Sequence, residues 1–102
     1  MNGYTIEAYA NLNGADLSRA NLSRTELSHA NLSGANLIGV DLSSADLSDS
    51  TLSFSTITEN QFLSAFSVEG VILQNHDMTG WNLIELELSN VDLSNAYLYG
   101  MY

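Results

Sequence analysis

Ala10-Asn11-Leu12-Asn13-Gly14-Ala15-Asp16-Leu17-Ser18-Arg19-Ala20-Asn21-Leu22 repeats one short string: alanine, then aspartate or asparagine, then leucine. Its leucine recurs without a miss at positions 12, 17, 22, 27, 32, 37, 42, 47 and 52. A strand repeats its facing every 2 residues and a helix every 3.6, so a spacing of five fits neither. It predicts a solenoid of short identical segments, each burying its apolar side chains against neighbouring segments.

Five units carry the string closely: Ala10-Asn11-Leu12, Ala15-Asp16-Leu17, Ala20-Asn21-Leu22, Ala30-Asn31-Leu32 and Ala45-Asp46-Leu47. In these units the chain resembles the pentapeptide repeat family, whose consensus is A-(D/N)-L-x-x. The resemblance implies an all-β fold, a right-handed quadrilateral parallel β-helix of about five coils with the central residue and the residue two before it pointing inward. Four units per turn then stack residues twenty apart. The expected length is ~24 Å at the spacing of paired strands.

Beyond Leu52 the central position passes to Ile57 and Phe62, fails at Ser67, and resumes one residue late at Val68, Leu73, Met78, Leu83, Leu88, Leu93 and Leu98. One residue has entered near Ala65, and a bulge at a corner is the simplest accommodation. A helix starting at Thr58 is the second reading, since Thr58 and Gln61 have capping-box spacing. The chain is thus read as one domain over residues 1–102, with regular repeats at 10–64, a break at 65–67 and a second repeat block at 68–100. By the frame, Asn60, Phe66, His76, Trp81 and Leu86 fall on inward sites usually held by alanine. Phe62 and Phe66 are expected in the core, and Phe54, Leu63, Ile72 and Ile84 outside.

Composition narrows the function classes. The 102 residues hold two arginines, no lysine and twelve acidic residues, for a formal charge of −10. That surface lacks the basic footprint of direct nucleic-acid binding. With no cysteine, thiolate and disulfide chemistry are absent. No apolar run approaches the ~18 residues of a membrane span. The N-terminus has neither the basic nor the apolar region of a secretory signal, so a cytoplasmic location is the default expectation.

Candidate site residues fall into three groups. The fourth face is expected to gather Glu26, Asp46, Asp49, Glu69 and Glu87, an acidic surface for a partner. The ordinary reading is a solvated face arising because the motif prefers Asp or Asn before leucine. Tyr97, Tyr99, Met101 and Tyr102 supply apolar rings on the last coil, either capping it or forming an end-to-end homodimer. His76-Asp77 suggests a metal or catalytic pair, but a single inward histidine has no second ligand, and bonding to Ser55 or to backbone is expected instead. The serines recur after leucine without an accompanying base, so no nucleophile is assigned.

The expected function is therefore a non-enzymatic protein-interaction scaffold with no metal and no cofactor. The resemblance implies two alternatives. Family members that bind DNA gyrase are acidic rods mimicking DNA, making a topoisomerase the partner, and some bacterial secreted effectors carry such repeats.

Overall fold

The computed structural model describes residues 3–82, 88 and 90–97. Its unit is a four-residue turn. The Ala15 N–H donates to the Leu12 carbonyl at 3.0 Å, and the same bond closes at Ala20–Leu17, Ala30–Leu27 and onward. The third residue of each turn has positive φ, the mark of a type II turn. This site recurs every fifth residue from Tyr9 to Phe54, with glycine at 14, 34 and 39 but side chains at Tyr9, Arg19, Arg24, His29, Ser44, Asp49 and Phe54. A Cβ there costs roughly 1–2 kcal/mol.

Each turn bends the chain, and four bends bring it back onto itself. Parallel bridges record the closure: Asn11 pairs with Asn31 and Asn31 with Thr51, Asp16 with Asn36, Asn21 with Asp41, and Glu26 with Asp46. The offset is twenty residues, as the frame predicts. Across the break Thr51 meets Ile72 and Asp46 meets Ser67, twenty-one apart; beyond it Ile72 meets Asp92 and Asp77 meets Tyr97, twenty apart again. Only one residue of each segment is bridged, so each face is a ladder of isolated bridges rather than an extended sheet. Numbered in chain order, the first face holds residues 10–14, 30–34, 50–54, 71–75 and 91–95. The fourth holds 25–29, 45–49 and 66–70.

All nine leucines from Leu12 to Leu52 are buried, with alanines 15, 20, 30, 35 and 45 beside them. Leucine fills the interior, and alanine at the second inward site keeps neighbouring side chains from colliding. The longest Cα extent is 37 Å. It exceeds the strand-spacing length, which counts only the stacked repeats.

The break differs from the bulge alone that the frame suggests. Residues Glu59–Ser64 form a helix, α1, and Thr58 and Gln61 make the full capping box: Thr58 Oγ1 accepts from the Gln61 N–H, and Gln61 Oε1 from the Thr58 N–H. The helix is not looped out. It replaces one five-residue segment of the third face, the face of residues 20–24 and 40–44, so one extra residue suffices for it. Side chains take over backbone bonds disturbed around the helix. Thr56 Oγ1 accepts from the Leu37 N–H at 2.6 Å, Gln61 Nε2 donates to the Leu37 and Val40 carbonyls, and Glu59 Oε2 accepts from the Asn82 N–H above. Buried backbone groups need such partners, and the helix supplies them. Phe62 remains fully buried, holding the leucine column.

The surplus residue is Phe66. Its N–H donates to the Ala45 carbonyl at 2.7 Å, a bond made one coil below by Asp46, the residue before the centre, to Thr25. Ser67 still provides the carbonyl for Leu47 N–H, so Phe66 and Ser67 together oppose Asp46, as in a bulge. Ala65 packs against the core in Phe66's place. Phe66 is accordingly 77% exposed and not in the core, and Asn60 sits exposed on α1 rather than inside. Regular repeats end at Thr58, and residues 65–67 already rejoin the coil. His76 and Trp81 are buried as expected; Leu86 and Ile84 lie outside the described residues.

Candidate interaction surface

The residue before the central leucine is most often Asp or Asn, for a local reason. The Oδ1 of Asn11, Asp16, Asn21, Asn31, Asn36, Asp41, Asp46, Asp77 and Asp92 accepts the N–H two residues on. Where Ser or Thr follows the central residue, its hydroxyl often adds a second bond, as from Ser18 to Asp16 at 2.7 Å and from Thr79 to Asp77 at 2.6 Å. The motif is thus a chain of Asx turns, each satisfying one turn donor from its own segment. The hydroxyls of Ser18, Ser43, Thr79 and Ser94 hold Asp16, Asp41, Asp77 and Asp92 below the ordinary carboxylate range, with the backbone N–H adding to the effect.

Four of the five acidic residues expected on the fourth face are there, but in three columns. Glu26 and Asp46 stack in adjacent coils. Asp49 stands at the turn, and its N–H donates to the Glu69 carbonyl at 2.7 Å. Glu69 follows Val68 in the column of Ser28 and Ser48. Glu87 lies outside the described residues.

The turn at this corner carries an arrangement not singled out in the sequence. The Tyr9 ring stacks on His29 at 4.6 Å with the planes 2° apart, and His29 Nε2 lies 3.5 Å from Asp49 Oδ2. Residues 9, 29 and 49 share the turn position at twenty-residue spacing, which the frame alone would have revealed.

His76 is held as expected by backbone: its Nε2 lies 3.2 Å from the Ile57 carbonyl. Its ring meets Trp81 edge-on at 5.7 Å, and Trp81 meets Phe62 at 5.6 Å, so the wider residues pack together in the coil above α1. Among the described residues no group of three or more His, Asp or Glu could hold a metal. Tyr97 is exposed, while Tyr99, Met101 and Tyr102 lie outside the described residues. Outward apolar groups near the break are Phe54, 68% exposed on a turn with φ 61°, Leu63 on α1, and Phe66.

A family profile for pentapeptide repeats matches in eight copies, over residues 10–49, 25–59 and 67–100. The chain belongs to the pentapeptide repeat family. With the family comes the right-handed β-helix, whose parallel bridges are those described above. The matched repeats stop at 59, the first residue of α1, and resume at 67. Among solved structures, HetL, a pentapeptide repeat protein involved in heterocyst differentiation regulation from the cyanobacterium Nostoc sp. strain PCC 7120, is 29% identical with a TM-score of 0.49. That likeness covers 92% of this pentapeptide repeat chain and 36% of HetL, so the chain spans little more than a third of that protein's length. No curated protein matches it by sequence.

Proposed function

We propose that this chain is a non-enzymatic repeat rod of about five coils that presents outward aromatic side chains to a protein partner. The observation that carries the reading is the exposure of Phe54 and Phe66. Most outward polar groups of the repeat serve the turns themselves. Neither backbone site calls for a ring: glycine or asparagine would suit the left-handed site of Phe54, and Phe66 stands at the surplus position, largely outside. Exposed aromatic groups are common anchors of protein interfaces.

The chemistry of the repeat supports a non-catalytic role. A general base works best with its pKa near the working pH, whereas the serine-bonded aspartates are shifted the other way. DNA mimicry has weaker support. Duplex DNA carries about 22 charges over the same 37 Å, against a net charge of −10 here.

A photoreactive phenylalanine analogue placed at position 54 or 66, irradiated in the native cell, tests the reading. A discrete adduct absent when the analogue replaces Asn13 supports the scaffold. The absence of any adduct from both positions would overturn it.

A further inference from the structure

Resting on the scaffold reading, we infer that the fourth face binds a basic, amphipathic segment of its protein partner, with an apolar side chain against Phe66 and Leu63 and lysine or arginine over Asp46 and Glu69. The register brings these groups together. The bond from Phe66 N–H to the Ala45 carbonyl fixes Phe66 at the start of this face, Ser67 lies on Asp46, and Glu69 lies beside Asp49. Leu63 is exposed three residues before Phe66, on the last turn of α1. An apolar ledge therefore leads directly into a carboxylate-bearing strip.

These carboxylates differ from those elsewhere in the rod. Asp16, Asp41, Asp77 and Asp92 each accept both an N–H and a hydroxyl from their own turn. Asp46 accepts the Ser48 N–H, Glu26 accepts the Ser28 hydroxyl, and the Glu69 carboxylate has no hydrogen-bond partner among the described residues. Acceptor capacity thus remains on the fourth face for a cation.

Charge decides the occupant. The only lysine or arginine residues in the chain are Arg19 and Arg24, both in the first coil of repeats, and none follows position 24. The one titratable base described on this face is His29, which faces Asp49. A second copy of this chain, a nucleic acid and an anionic membrane would all bring negative charge to negative charge. A basic protein segment brings the complement, and its arginine or lysine can also lie on the Phe66 ring.

The test uses the full chain against a phage-displayed library of random twelve-residue peptides. The expected selection is peptides pairing Lys or Arg with Trp, Phe or Leu. Their binding should fall about tenfold or more in Phe66→Ser, fall likewise in the Asp46→Asn, Glu69→Gln double variant, and weaken as salt is raised. Selected peptides that are neutral or acidic but still need Phe66 would overturn the basic partner and leave the scaffold reading standing. Peptides indifferent to Phe66, or no selection at all, would overturn the site itself. Circular dichroism of each variant confirms that lost binding is not lost folding.

Discussion

Leu32 is fully buried in the middle of the regular coils, and its neighbours above and below in the column are Leu12 and Leu52. Truncating it to alanine leaves a cavity that stacked coils cannot collapse without shifting their bridges. Leu32→Ala should cost about 2–5 kcal/mol, whereas Ser33→Ala, one residue on and outside, should stay within about 0.5 kcal/mol. Chemical denaturation of both variants checks the facing. Phe54 makes the opposite case. Its φ of 61° carries a Cβ where glycine would be relaxed. The relief of roughly 1–2 kcal/mol exceeds the added chain entropy of glycine, roughly 0.4–1 kcal/mol, so Phe54→Gly should raise stability by about 0.5–1 kcal/mol. A fall in melting temperature would show that the ring packs rather than waits for a partner. At this scale the sequence was highly legible, because leucine repeats without exception through the first coils and the alanine site is broken there only by Thr25 and Val40. Phe66 was not: frame counting cannot tell which of two adjacent residues a helix end delivers inward, and Ala65 took the place.

Helix α1 is visible in the sequence as the spacing of Thr58 and Gln61, but a single surplus residue points first to a bulge. Both are present, because α1 replaces one five-residue segment and needs only one residue more. Spacing could not show that Gln61 would reach two carbonyls of the coil below. Those bonds make a sharp prediction. Thr58→Ala removes the cap alone and should cost about 1 kcal/mol. Gln61→Ala also leaves the Val40 carbonyl without its donor, while the Leu37 carbonyl keeps the Val40 N–H, and should cost more, about 2–3 kcal/mol. The two losses share a network, so the double variant should cost less than their sum. Deleting Ala65 should not restore an even five-residue frame. It should abolish cooperative unfolding, because the deletion shortens the link between α1 and the fourth face. A deletion variant melting like the wild type would mean that the helix is dispensable.

Across the whole rod, the same turn chemistry that sets the repeat also sets its response to acid. The hydroxyls of Ser18, Ser43, Thr79 and Ser94, and then the backbone N–H groups, hold four aspartates below their ordinary value of 3.8. The unfolded chain therefore binds protons first. Stability from these groups is fully present above the unfolded pKa and is lost as pH falls through 3.8 and on through the lower folded values. Protonation also relieves mutual repulsion in a chain of charge −10, an effect of opposite sign. The fully exposed carboxylates are well screened, and salt weakens that repulsion further, whereas the short hydroxyl bonds are local. The melting temperature in about 0.15 M salt should thus fall steadily between about pH 4 and pH 2. Asparagine already fills the same site at 11, 21, 31 and 36 with the same backbone bond. A variant carrying asparagine at 16, 41, 77 and 92 should keep the fold at neutral pH and lose most of that slope. An undiminished slope would place the acid response elsewhere and detach it from the turns.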